Sequence, residues 1–170
     1  MVRALGAALL IAGGLGAGWC GASALDRRVR SLRTFCAALE TAQRELSLRL
    51  LPMPELLSLL SRQSEGQAGA FFARCLADLP SLGSRSFARI WGDALEGVPL
   101  DLNREDREIL AQAGRVLGRY DGAGQEAALE LIRLRLVRAL EEAEERRKSG
   151  KKVWYALGIT AGCFLAIVLM

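Results

Sequence analysis

The sequence predicts an all-α protein: an antiparallel helical bundle of about six helices, flanked by an N-terminal and a C-terminal transmembrane helix. Three observations carry this. Ala4–Leu25 and Val153–Met170 hold no charged residue, although 25% of the chain is charged. Between them apolar residues recur at steps of three and four, the spacing of one helix face. No stretch alternates apolar and polar residues as a half-buried strand does. The expected divisions are an apolar helix over 4–25, a bundle domain over 26–152 and a second apolar helix over 153–170.

Ala4–Leu25 holds 22 uncharged residues, about 33 Å as a helix, against a hydrocarbon core of roughly 30 Å. Its Gly14 and Gly18 make a single GxxxG pair, weak evidence for helix association because glycine is common in membrane helices anyway. From Leu25 an apolar seam runs through Val29, Leu32, Cys36 and Leu39, passes Gln43 as an exception, and continues to Leu46 and Leu50. Pro52 and Pro54 end it, and Pro54 can open a second helix over 55–63 because proline is tolerated in a first turn.

Gly66 begins a third helix with Phe71, Phe72, Cys75, Leu76 and Leu79 inward, broken by Pro80 and Gly83. A fourth is expected over 84–96, burying Phe87, Ile90, Trp91 and Leu95. Asn103 is the expected cap of a fifth, which runs to Leu117 with Gly118 in a left-handed terminal conformation. Asp121–Gly124 reads as a turn. A sixth helix from near Gln125 buries Leu129, Ile132, Leu136, Leu140 and Ala143, and no proline separates it from Val153–Met170. Gly150 is a candidate hinge. That last segment spans about 27 Å as a helix, near the lower limit for crossing a bilayer. Trp154 and Tyr155 follow Lys151 and Lys152, an interfacial arrangement.

The net charge of +4 is unevenly placed. Residues 26–33 carry +3, with Arg27, Arg28, Arg30 and Arg33. Residues 146–152 carry +5, with Arg146, Arg147, Lys148, Lys151 and Lys152, while 34–145 carry −5. Two basic collars beside apolar segments suit lipid headgroups and hold the intervening domain in the cytosol, with both termini outside. Nucleic acid would require positive charge spread over the folded face, so no nucleic-acid partner is expected. A competing reading takes Arg3, the apolar core and Ala22-Ser23-Ala24 as a cleaved signal peptide. It leaves an extracytoplasmic helical module with a C-terminal anchor.

Catalysis finds little support. The chain has no histidine, which removes the commonest proton shuttle and metal ligand. Four cysteines, Cys20, Cys36, Cys75 and Cys163, show no metal-binding spacing and read as reduced, buried thiols. Glu105, Asp106 and Glu108 fit the positive end of a helix dipole better than a metal site. The glycines of 118–124 lack the strand and lysine of a phosphate loop, and no G-x-S-x-G occurs. No catalytic, cofactor-binding or metal residue is expected. Glu142–Arg146 and Glu144–Lys148 are i,i+4 pairs in the favourable order, as in a solvated stem.

The sequence resembles the stage III sporulation protein AB family. The likeness rests on Trp91, Leu100, Glu105-Asp106, Leu110, Gly114, Leu117-Gly118, Asp121 and Gln125, then the charged helix through Lys152 and Tyr155 into Leu157-Gly158. Pro54-Glu55 matches more loosely. Ala113 stands where phenylalanine is expected, and Leu51-Pro52-Met53 replaces a Thr-Pro-Leu turn. The resemblance implies a non-enzymatic component of a sporulation channel in the mother-cell membrane around the forespore. It also implies a cytosolic domain similar to type II secretion and type IV pilus platform domains. Its implied partners are the other members of the stage III complex, including an ATPase-like subunit, together with membrane lipid.

Overall fold

The computed structural model describes the backbone of residues 2–49, 51–118 and 122–169, and the side chains of residues 23–48, 51–118, 124 and 126–150. Proline sets the first boundary. Helix α1 (Val2–Arg49) ends before Pro52, which caps α2 (Met53–Gln63) with Pro54 in its first turn. Helix α3 (Gly66–Asp78) begins on a residue with φ of 61°, a left-handed conformation that costs glycine nothing. It passes into a 3-10 turn at Leu79–Ser81 containing Pro80. Helix α4 (Phe87–Gly97), α5 (Arg104–Leu117) and α6 (Gly122–Leu169) complete the order. Among the described residues there is no strand, only an isolated bridge between Leu82 and Arg85.

Residues 28–141 form one compact unit. Within it α2 packs on α3, α3 on α4 and α4 on α5. Phe35, Phe71, Phe72, Phe87 and Trp91 make its aromatic centre, with ring centroids 4.8–5.9 Å apart in tilted and edge-to-face pairs. The inward faces of α4 and α6 hold the expected Phe87, Ile90, Trp91 and Leu95, and Leu129, Ile132 and Leu136; Ala143, also buried as expected, belongs to the other unit. Leu140 is only half-buried.

Residues 1–27 and 142–170 form the other unit. There Asp26 on α1 pairs with Arg147 on α6. A Cβ at Gly150 would lie 3.8 Å from Leu25 Cδ1, ordinary contact. Helix α6 runs through Gly150 without a break. The apolar segments are continuous with α1 and α6 rather than separate helices. Among the described residues, no helix is long and apolar enough to cross a membrane. The side chains of 4–22 and 153–170 lie outside that description.

Four expectations need correction. The α1 seam is broader than a heptad: Phe35, Ala38 and Ala42 are buried with Val29, Leu32 and Leu39, whereas Cys36 and Leu46 are half-buried. A helix packed on several neighbours buries a wide stripe, not a narrow coiled-coil edge. The fourth helix starts at Phe87 rather than Ser84, because the Ser86 hydroxyl accepts the Arg89 N–H at 3.3 Å and caps it there. Gly122 opens α6, so Gly122–Gly124 are helical rather than a turn. Gly118 has φ −79° and ψ 0°, a right-handed conformation. Its small size answers a close neighbour instead: a Cβ there would meet Phe87 Cβ at 3.2 Å.

Candidate functional site

The start of α5 joins several elements. Asn103 Oδ1 accepts the Asp106 N–H at 2.7 Å, and Asp106 Oδ2 accepts the Asn103 N–H at 3.1 Å, a reciprocal cap. The same carboxylate takes a two-pronged contact from Arg28 on α1, Nε to Oδ2 at 2.8 Å and Nη2 to Oδ1 at 2.9 Å. Asp106 is fully buried, and the Arg28 side chain is 13% exposed. One residue further along α5, Arg107 donates to the Leu95 and Leu100 carbonyls at 2.5 and 2.9 Å. That fixes the segment between α4 and α5. Gln67 of α3 donates to Asp101 Oδ2 and accepts the Asp101 N–H, both at 2.8 Å, and also accepts the Ser31 hydroxyl at 3.1 Å.

A second junction locks α4 to α5. The Trp91 Nε1–H donates to the Leu110 carbonyl at 2.8 Å. Its ring lies so close to α5 that a Cβ at Gly114 would stand 2.4 Å from Trp91 Cγ. Gly114→Ala should therefore destabilise the protein by about 1–3 kcal/mol through overpacking, despite a gain of about 0.5–1 kcal/mol in helix propensity. Thermal unfolding followed by circular dichroism measures it.

These junctions place the residues singled out from sequence. Trp91 meets Gly114, Gly118 meets Phe87, and Asp106 meets Arg28. Glu105, beside Asp106, is exposed. Asp121 and the Gln125 side chain lie outside the described residues, as do the side chains of Lys151 and Lys152. Of the collar arginines, Arg28 serves the fold and Arg147 pairs with Asp26. Arg27, Arg30, Arg33, Arg146 and Lys148 are exposed. Sequence reasoning missed Gln67 and Arg107, and it read Arg28 as a collar residue without its pairing to Asp106. The only local signal was the Asn103–Asp106 spacing, which marks a cap but not a distant cation.

Among the described residues, no cluster of three or more potential metal ligands occurs. Cys36 and Cys75 are free thiols, and burial pushes their pKa up to about 11 and about 12, which leaves them protonated and inert. A groove of about 370 Å3 between α1 and α6 is polar, lined by residues including Glu40, Gln43, Glu126 and Arg133. Beside it Arg133 grips Glu130 at 2.9 and 2.7 Å, holding that carboxyl below its ordinary pKa. Gln43, the polar exception in the α1 seam, also hydrogen-bonds Glu130. A second groove, about 520 Å3, runs along α2 between Glu45, Leu51, Pro54, Glu55, Leu59 and Arg62.

Among the described residues, the fold is a helical bundle cross-braced by buried polar contacts. The chain belongs to the stage III sporulation protein AB family, whose sequence profile matches residues 3–170. The resemblance read from the sequence is thereby borne out. The chain is 26% identical over 172 residues to stage III sporulation protein AB of Bacillus subtilis (strain 168), with 100% of each covered. A solved structure of stage III sporulation protein AB (SpoIIIAB) is similar with a TM-score of 0.67 and 25% identity. That likeness covers 72% of this chain and 98% of the solved one.

Proposed function

We propose that this chain is a non-enzymatic membrane platform of the stage III sporulation complex. It is anchored by helices over 4–25 and 153–170 in the mother-cell membrane around the forespore. The bundle over 26–152 lies in the cytosol and engages an ATPase-like subunit. One observation supports this above others. The two uncharged segments run unbroken into α1 and α6, and at the boundary the Asp26–Arg147 pair joins those helices.

Arg27, Arg30, Arg33, Arg146 and Lys148, exposed beside the two segments, fit a cytosolic bundle. The sporulation role comes from the family, and ATPase engagement from the likeness to secretion platforms that the resemblance implies. Reporter fusions at Met1 and Met170 test the topology: both should read out on the side of the membrane away from the bundle. A cytosolic readout from either end overturns the arrangement. Co-purification with the ATPase-like member tests engagement, and a folded chain that fails to retain it removes that role.

Cleavage after Ala24 is the rival reading. The mass of the mature N-terminus separates the two: an intact Met1 end or one beginning at Leu25.

A further inference from the structure

Helices α1 and α6 meet at the boundary of their apolar segments, within the unit of residues 1–27 and 142–170. There Asp26 pairs with Arg147, and Leu25 Cδ1 lies 3.8 Å from where a Cβ on Gly150 would stand. Both helices run on unbroken from that point, α1 back to Val2 and α6 on to Leu169, with no proline in either stretch. Two neighbouring contacts fix the offset of two antiparallel helices and the faces they turn to each other. Steps of three and four carry a helix face onward. From Leu25 they lead to Ala22, Gly18, Leu15 and Ile11. From Gly150 they lead to Trp154, Leu157, Ala161 and Phe164.

We propose that these two faces pair within one chain, making the anchor a closed antiparallel hairpin rather than two helices free to join other partners. Each face takes the other segment as its occupant, because the pairing continues a contact already made at Asp26–Arg147 and Leu25–Gly150. Carried onward from Leu25 and Gly150, the register gives four layers that each set a large residue on a small one. Leu25 faces Gly150, Trp154 faces Ala22, Leu157 faces Gly18, and Leu15 faces Ala161. Ile11 with Phe164 is the first layer large on both sides. A slip of one turn either way loses this match and parts Asp26 from Arg147. One direction sets Gly18 on Ala161 and Leu15 on Phe164, and the other sets Ala22 on Gly150 and Leu15 on Leu157. In lipid no hydrophobic force drives helices together, so close packing of large residues against small ones supplies the attraction. Cys20 and Cys163 stand two residues beyond Gly18 and Ala161, on the outward sides. The proposal takes its setting in lipid from the two-anchor reading above and adds where the anchors meet.

The test uses the full chain in membranes. Two double variants, Gly18→Cys with Leu157→Cys and Leu15→Cys with Ala161→Cys, are made in a Cys20→Ala, Cys163→Ala background. After treatment with a short thiol cross-linker, cyanogen bromide cuts the denatured chain after Met53 and frees α1 from α6 unless a link holds them. Both pairs should stay joined, at about ten times the yield of Gly13→Cys with the native Cys163, which share a depth but face outward. Gly18→Leu added to the 15–161 pair makes a layer large on both sides and should cut its yield about tenfold. Leu157→Gly on top of it should restore the link, and that recovery shows that the single change had not unfolded the chain. Equal linking of the 13–163 pair, links formed only between chains, or no recovery overturns the proposal. Alkaline extraction of the same vesicles separates its failure from that of the anchors. A chain that stays in the membrane unlinked defeats the hairpin alone, whereas a linked chain released into the wash defeats the membrane reading and keeps the hairpin.

Discussion

Arg28→Ala is expected to lower the melting temperature of the full chain in detergent by about 6–12 °C. Removing one partner of a buried pair costs about 3–5 kcal/mol, because the remaining charge is left without compensation. Asp106 is fully buried, so once Arg28 is gone its carboxylate has no water to turn to. The value should fall near the lower end, about 3 kcal/mol, since the Asn103 N–H continues to donate to Asp106 Oδ2. In a chain of this size each kcal/mol moves the midpoint by about 2–4 °C.

Two further variants separate charge from contact. Asp106→Asn keeps a carbonyl acceptor and leaves no unpaired carboxylate in the interior, while Arg28 already reaches solvent. It should cost less than Arg28→Ala. Arg28→Met with Asp106→Leu replaces the pair by apolar groups and should recover much of the loss. A midpoint shift under about 2 °C for Arg28→Ala would put the pair on a level with surface ion pairs. Topology reporters on the same variant give an independent readout. They should not change, because Arg27, Arg30 and Arg33 remain exposed on α1.

That variant also marks where sequence reading stops. Helix faces are local, so spacing alone placed Phe71, Phe72 and Cys75 inward on α3, and Ile90 and Trp91 inward on α4. The Asn103 cap was legible for the same reason: its partner is three residues away. Arg28 and Asp106 are 78 residues apart, and no periodicity reports a contact at that distance. Glu105 and Asp106 carry the same charge in the same helical turn, yet one is exposed and the other fully buried. Only the position of α1 against α5 distinguishes them.

Phe35 shows the opposite error. A heptad seam taken alone steps from Leu32 to Cys36, but the aromatic rings of α3 reach the flank of α1 and bury Phe35 there. Glycine is ambiguous in sequence for a related reason. Gly118 follows the last residue of α5, where a terminal signal is the natural reading, and Gly114 lies one turn earlier. Both answer side chains of α4 instead, Trp91 and Phe87 respectively.

The size of that Trp91–Gly114 contact leads to a change of sign. Trp91→Ala should cost about 3–5 kcal/mol, the range for truncating a large buried aromatic. The ring is fully buried, lies against Phe71 with centroids 4.8 Å apart, and loses its bond to the Leu110 carbonyl. Trp91→Phe should cost less, because most of the ring volume remains and a neutral hydrogen bond contributes only about 1 kcal/mol net. Gly114→Ala destabilises the wild-type chain because its Cβ enters the space of the indole. With Trp91→Ala that space is empty, so the same methyl group now fills part of a cavity. The helix-propensity gain of about 0.5–1 kcal/mol is then no longer outweighed. Gly114→Ala should thus stabilise the Trp91→Ala protein while destabilising the parent, a coupling within the 0.5–3 kcal/mol range for residues in direct contact. Thermal midpoints of the four proteins in the cycle measure it. If the two substitutions simply add, the close approach of the indole to α5 does not set the α4–α5 packing.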